Sequence, residues 1–121
     1  MEALELIKIA ANALNEKKAK QIAALKITNL TVLCDYFLIC TATSSTHIRA
    51  LCDEVEDKLK ENGVMPHHIE DKSTGWIALD YGDVIIHIFT TNEREYYGLD
   101  KMWLDGTPID MGEILENVEE E

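Results

Sequence analysis

Two amphipathic helical stripes set among strand-like runs predict a mixed α/β domain, with helices packed on a sheet of four or five strands. Three observations carry this expectation: the apolar stripe that opens the chain, the continuous apolar run Cys34–Cys40, and the two strand-like runs Trp76–Tyr81 and Val84–Thr90 around Gly82-Asp83. A chain of 121 residues with 46% hydrophobic side chains suits one core and needs no disulfide or metal staple.

Taken in order, Leu4, Ile7, Ala11 and Leu14 recur at spacings of three and four, which predicts an opening helix of about 14 residues. Lys17-Lys18-Ala19-Lys20 breaks that stripe, and Gln21–Ile27 reads as a first strand. The run Cys34–Cys40 is rich in aromatic and β-branched side chains and is followed by Thr41-Ala42-Thr43-Ser44-Ser45, the pattern of a central strand covered on both faces. Ser44 or Ser45 caps a second helix with Ile48, Leu51, Cys52, Val55 and Leu59 inward, Asp53, Glu54, Glu56, Asp57, Lys58 and Lys60 outward, and Gly63 as a left-handed stop. His67–Asp71 reads as a short edge strand and Lys72-Ser73-Thr74-Gly75 as a loop.

Gly82-Asp83 is a two-residue hairpin signal, which sets Tyr81 opposite Val84, Leu79 opposite Ile86 and Ile77 opposite Ile88. Alternation then gives one core face of Ile77, Leu79, Tyr81, Val84, Ile86 and Ile88. The other face holds Trp76, Ala78, Asp80, Ile85, His87 and Phe89, a mixture suited to partial cover or to a partner. Glu93–Tyr97 forms a short helix or turn leading into Gly98–Trp103. The domain is expected to span 1–104, with 105–121 an acidic, weakly ordered tail.

The net charge of -12 argues against a protein that holds nucleic acid through its phosphates. Seven of the 23 acidic side chains lie from Asp105 onward, with no base among them, so work on an RNA-rich particle would go through exposed protein. No stretch has the apolar length of a membrane span and the N-terminus lacks a basic signal-peptide head; the expected location is cytoplasmic.

Cys34, Cys40 and Cys52 are an odd set without a C-x-x-C pair and read as buried free thiols. His47, His67, His68 and His87 include no helical i, i+4 pair, so no metal site is expected; His87 reads as a hydrogen-bonded histidine on a sheet face. Asp80 and Asp83 could clamp magnesium for nucleotidyl transfer, although the chain lacks a glycine-rich phosphate loop. Trp76, Tyr81, Tyr96, Tyr97 and Trp103 are interleaved with Asp80, Asp83, Arg94, Glu95, Asp100 and Lys101, the composition of a binding surface.

Cys34–His47, Gly75-Trp76, Leu79-Asp80-Tyr81-Gly82-Asp83-Val84, His87-Ile88-Phe89, Arg94-Glu95-Tyr96-Tyr97-Gly98-Leu99 and the Trp103 that follows together closely resemble the ribosomal silencing factor family, also called RsfS or Iojap-like. The resemblance runs from about Leu4 to Trp103 and leaves out the acidic tail. It implies a nucleotidyltransferase-like fold without the catalytic motif, no enzymatic activity and no cofactor. It also implies binding to large-subunit ribosomal protein fourteen, a block on joining of the small subunit that represses translation under nutrient limitation, and a homodimer when free. Mapped onto this sequence, the family's contact region is Trp76, Leu79, Asp80 and Tyr81 with Tyr97, Leu99, Lys101 and Trp103. The hairpin register places Leu79 and Tyr81 on the core face instead. The alternative function is a nucleotidyltransferase-like enzyme using Asp80 and Asp83 with magnesium.

Overall fold

The computed structural model describes residues 1–28, 34–98 and 105–115. Its elements are α1 (Ala3–Glu16), β1 (Lys20–Lys26), β2 (Tyr36–Ala42), α2 (Ser45–Glu61), β3 (His68–Ser73), β4 (Trp76–Asp80), β5 (Val84–Thr90), α3 (Thr91–Tyr97), β6 (Thr107–Ile109) and α4 (Met111–Ile114). The strands form one six-stranded sheet in the order β3-β4-β5-β2-β1-β6. Neighbours run antiparallel except for β2 and β5, which pair in parallel. The mixed α/β class holds, with one strand more than the sequence predicts.

Local chemistry accounts for the helix boundaries. α1 ends where the Ala19 amide donates to the Leu14 carbonyl and the Lys18 amide to that of Asn15, a Schellman closure that puts Lys18 at φ 69°. The Ser44 hydroxyl caps α2 by accepting from the His47 amide at 3.1 Å, and Gly63 closes its far end at φ 77°. The buried stripe of α1 is Leu6, Ile7, Ala10, Ala11, Ala13 and Leu14. Leu4 is 48% exposed, so the stripe is rotated from the expected one and Leu6 takes its place.

α1 and α2 lie side by side on one face of the sheet. Their apolar stripes meet Ala24 of β1, Leu38, Cys40 and Ala42 of β2, and Ile77, Leu79, Val84, Ile86 and Ile88 of the hairpin in a single core. β2 is central, as its apolar run requires. β4 and β5 pair in the expected register, Ile77 with Ile88 and Leu79 with Ile86. Gly82 turns the hairpin at φ 87°, where a side chain would be strained, and the Tyr81 amide donates to the Val84 carbonyl at 2.9 Å.

Several boundaries differ from the sequence reading: β1 is Lys20–Lys26 and not Gln21–Ile27, and β2 is Tyr36–Ala42 and not Cys34–Cys40. β3 continues through Lys72 to Ser73, leaving Thr74-Gly75 as the turn, because pairing with β4 extends to Ser73 opposite Trp76. The larger correction concerns the segment read as a weakly ordered tail. Residues 107–109 pair with Ala24–Lys26 as the edge strand β6, and Ile109, Met111, Ile114 and Leu115 pack against the main core. Gly106 fits only as glycine, since a Cβ there would come within 2.8 Å of the Leu25 side chain. The Asn12 amide group donates to the Ile114 carbonyl at 3.0 Å. Residues 105–115 therefore belong to the domain, and the boundary at 104 does not hold.

Deletion of 105–121 is accordingly expected to lower the melting temperature by at least about 5 °C, roughly what 1 kcal/mol does in a domain of this size. Thermal unfolding followed by circular dichroism checks it. An unchanged melting temperature would show that β6 and α4 contribute no net stability.

Candidate functional site

Side chains on successive strand residues alternate between faces, so the face opposite α1 and α2 carries the other half of each strand. Phe37, Ile39 and Thr41 come from β2, Ile85, His87 and Phe89 from β5, and Trp76, Ala78 and Asp80 from β4. Leu25, Ile27 and Cys34 form a small second apolar cluster here with Phe37 and Ile85.

An aromatic group occupies the middle of this face. The half-buried Trp76 stacks on Phe89, its cross-strand partner, with ring centroids 4.8 Å apart and planes at 27°. Its indole Nε1–H donates to His87 Nδ1 at 3.1 Å. Phe37 meets the His87 ring edge-on at 4.8 Å, and the Lys72 ammonium lies 5.6 Å from the Trp76 ring centroid, within cation–π range. Burial, reinforced by the nearby Lys72, pushes the His87 pKa down to about 4. The imidazole is therefore neutral at physiological pH, and accepting from Trp76 leaves its own hydrogen on Nε2.

α3 closes one end of the face through a buried guanidinium. Arg94 Nη1 donates to the Gln21 carbonyl and to Thr41 Oγ1, each at 2.9 Å, and the Thr41 hydroxyl donates to Gln21 Oε1 at 3.1 Å. Gln21 sits at φ 50°, in the irregular step of β1 between Lys20 and Ala23. The bulge turns its carbonyl toward the one buried arginine among the described residues.

The residues expected at the contact surface divide. Trp76 and Asp80 are on this face and half-buried. Leu79 is 0% exposed and Tyr81 7% exposed in the opposite core, so neither presents a side chain for contact: the strand's alternation turns them inward. Burial raises the Tyr81 phenol pKa. Tyr97 is the last residue of α3. Leu99, Lys101 and Trp103 lie outside the described residues. Phe37 and Lys72 join the aromatic group although the sequence reading did not select them. Phe37 arrives through the parallel pairing of β2 with β5, which no local pattern announces, and Lys72 through the extension of β3.

Asp80 and Asp83 serve the turn. Asp80 Oδ1 accepts from the Gly82 amide at 2.8 Å, and the Asp83 carbonyl accepts from the Asp35 and Tyr36 amides at 2.9 and 3.0 Å, tying the hairpin tip to the start of β2. Among the described residues no group of three or more His, Cys, Asp or Glu could hold a metal ion. His47 bridges the two helices: Nδ1 accepts from the Thr43 amide at 2.9 Å, and Nε2 reaches the Lys17 carbonyl at 2.7 Å. Cys34, Cys40 and Cys52 are free and buried, and burial pushes their thiols up to about 11, 12 and 12 respectively, far from a reactive thiolate.

The family model "Ribosomal silencing factor during starvation" matches residues 1–121. The ribosomal silencing factor RsfS of Bacillus subtilis is 37% identical over 112 residues, 92% of this chain and 95% of that protein. The chloroplastic protein Iojap of Zea mays is 31% identical over 110 residues, 91% of this chain and 48% of that protein. A crystal structure of a Chromobacterium violaceum protein superposes with a TM-score of 0.80 at 36% identity, covering 85% of this chain and 87% of the other. Proteins named in this way are regulators, not enzymes. An α/β sheet of this topology and a sequence match along its whole length thus agree: the chain belongs to the ribosomal silencing factor family.

Proposed function

We propose that the sheet face carrying Trp76 docks on ribosomal protein fourteen of the large subunit, and that the bound protein occupies space the small subunit needs. Family membership supports a ribosome-associated, translation-silencing role; partner, surface and steric mechanism are the further reading. Repression of translation under nutrient limitation follows, in the cytoplasm, with a homodimer as the free form. Trp76 is the observation that carries the reading. A half-exposed tryptophan, held by Phe89, His87 and Lys72, has the character of an interface anchor. The contact surface comprises Trp76 and Asp80 together with Tyr97, Leu99, Lys101 and Trp103. Leu79 and Tyr81 support it from beneath. A net charge of -12 favours a protein partner over rRNA.

Trp76→Ala is expected to weaken co-sedimentation with isolated large subunits about thirtyfold, the equivalent of ~2 kcal/mol for a central aromatic anchor, without unfolding the domain. Wild-type binding by a folded Trp76→Ala variant would remove Trp76 from the interface. The steric mechanism has its own check, because ligands that exclude each other are reciprocally coupled. The protein should inhibit peptide synthesis when added to separate subunits and have no effect on joined ribosomes. Equal inhibition in both orders, with ribosomes still joined, would reject it.

A further inference from the structure

His87 satisfies one of its two ring nitrogens. Nδ1 accepts the Trp76 indole hydrogen at 3.1 Å, whereas Nε2 is buried and reaches no hydrogen-bond partner among the described residues. The residue is 6% exposed, flanked in sequence by Ile86 and Ile88, and set between the rings of Phe37 and Phe89. Packing alone favours a fully apolar ring at such a position, since a buried donor without an acceptor is destabilising. His47 provides the internal contrast: both of its nitrogens have partners, the Thr43 amide and the Lys17 carbonyl, as expected of a histidine that serves the fold. The single side-chain hydrogen bond His87 makes among the described residues goes to the half-buried side chain that anchors the proposed docking surface.

We infer that His87 is a positioning residue that fixes the indole of Trp76 in the pose its ribosomal partner reads, at a cost in stability. Of the described residues around it, Phe89 lies against one side of Trp76 and the Lys72 ammonium approaches the ring, and neither of these contacts is directional enough to fix rotation of the indole. The bond from Nε1 to His87 is. Fixing the rotamer before association removes an ordering cost that binding would otherwise bear. This inference rests on the reading that Trp76 contacts the large subunit.

The test uses His87→Phe, which keeps a ring of similar size and removes the acceptor, and His87→Gln, which restores an acceptor in its side-chain oxygen. Three quantities are measured on the full chain: melting temperature, the ¹H–¹⁵N indole resonance of Trp76 (assigned by its loss in Trp76→Ala), and affinity for isolated large subunits. His87→Phe should melt at or above the wild-type temperature, shift the Trp76 indole resonance and bind about five- to tenfold more weakly. His87→Gln should recover most of the affinity. Opposite changes in stability and affinity are what a purely structural histidine cannot produce. A His87→Phe variant that fails to fold, melts below wild type or binds with wild-type affinity would overturn the inference, as would a folded His87→Gln variant no tighter than His87→Phe. Failure of the wild-type protein itself to bind large subunits would strike the docking reading instead.

Discussion

Leu79→Ala is expected to lower the free energy of unfolding by ~2–5 kcal/mol, the range for truncating a fully buried leucine. Leu79 is 0% exposed and stands opposite Ile86, also 0% exposed, in the middle of the hairpin's core face. Removing three carbons from that position leaves a cavity in the layer where β4 and β5 meet the helices, and a six-stranded sheet cannot collapse to fill it. Urea unfolding should show a lower midpoint with an unchanged slope. The affinity of the folded variant for large subunits should stay within a few-fold of wild type, because the side chain offers no surface to a partner. Trp76→Ala, three strand positions from Leu79 and on the opposite face of β4, should behave in the reverse way. A wild-type midpoint for Leu79→Ala would mean that the hairpin face has been misassigned. A loss of binding in the folded variant comparable to that of Trp76→Ala would make Leu79 a contact after all.

The contrast between these two residues shows what the sequence could convey. Alternation, together with the two-residue turn at Gly82-Asp83, was enough to give the hairpin's register and to separate Ile77, Leu79 and Tyr81 from Trp76, Ala78 and Asp80, since both signals are local. The caps of α2 and the apolar run of β2 were legible for the same reason. Transferring a contact region as a block of neighbouring residues discards that information: consecutive strand positions point to opposite sides, so Leu79 and Tyr81 cannot share a surface with Asp80.

What stayed hidden depends on pairing between distant segments. Thr107-Pro108-Ile109 is too short for periodicity and contains a proline, which an edge strand tolerates. Its reason for being a strand lies in Ala24, Leu25 and Lys26. The acidic side chains around it suggested solvent, although Ile109, Met111, Ile114 and Leu115 were apolar and spaced to reach the core. Phe37 was read correctly as part of a strand. Its place beside His87 required knowing that β2 and β5 are neighbours in parallel.

Acid should destabilise the protein through His87, by an amount that His87→Phe can isolate. Burial, assisted by Lys72, holds the folded-state pKa near 4 against an ordinary value of 6.5. Between those values the unfolded chain binds a proton that the folded chain excludes, so stability falls as pH drops. The contribution is fully present above about pH 6.5, declines through the interval and is exhausted below about pH 4. A shift of this size corresponds to roughly 3 kcal/mol in total, of which ~2–3 kcal/mol is lost between pH 7 and pH 4.5. The chain's net charge of -12 makes the raw pH profile a composite, because carboxylates near their own pKa relieve mutual repulsion over part of the same range. The two proteins share those carboxylates, so the difference between their profiles reports the histidine. Urea unfolding at pH 7 and pH 4.5 should show wild type losing ~2–3 kcal/mol more than His87→Phe. Parallel profiles for the two proteins would mean that the fold does not hold the imidazole neutral, and that the bond from Trp76 does not depend on it.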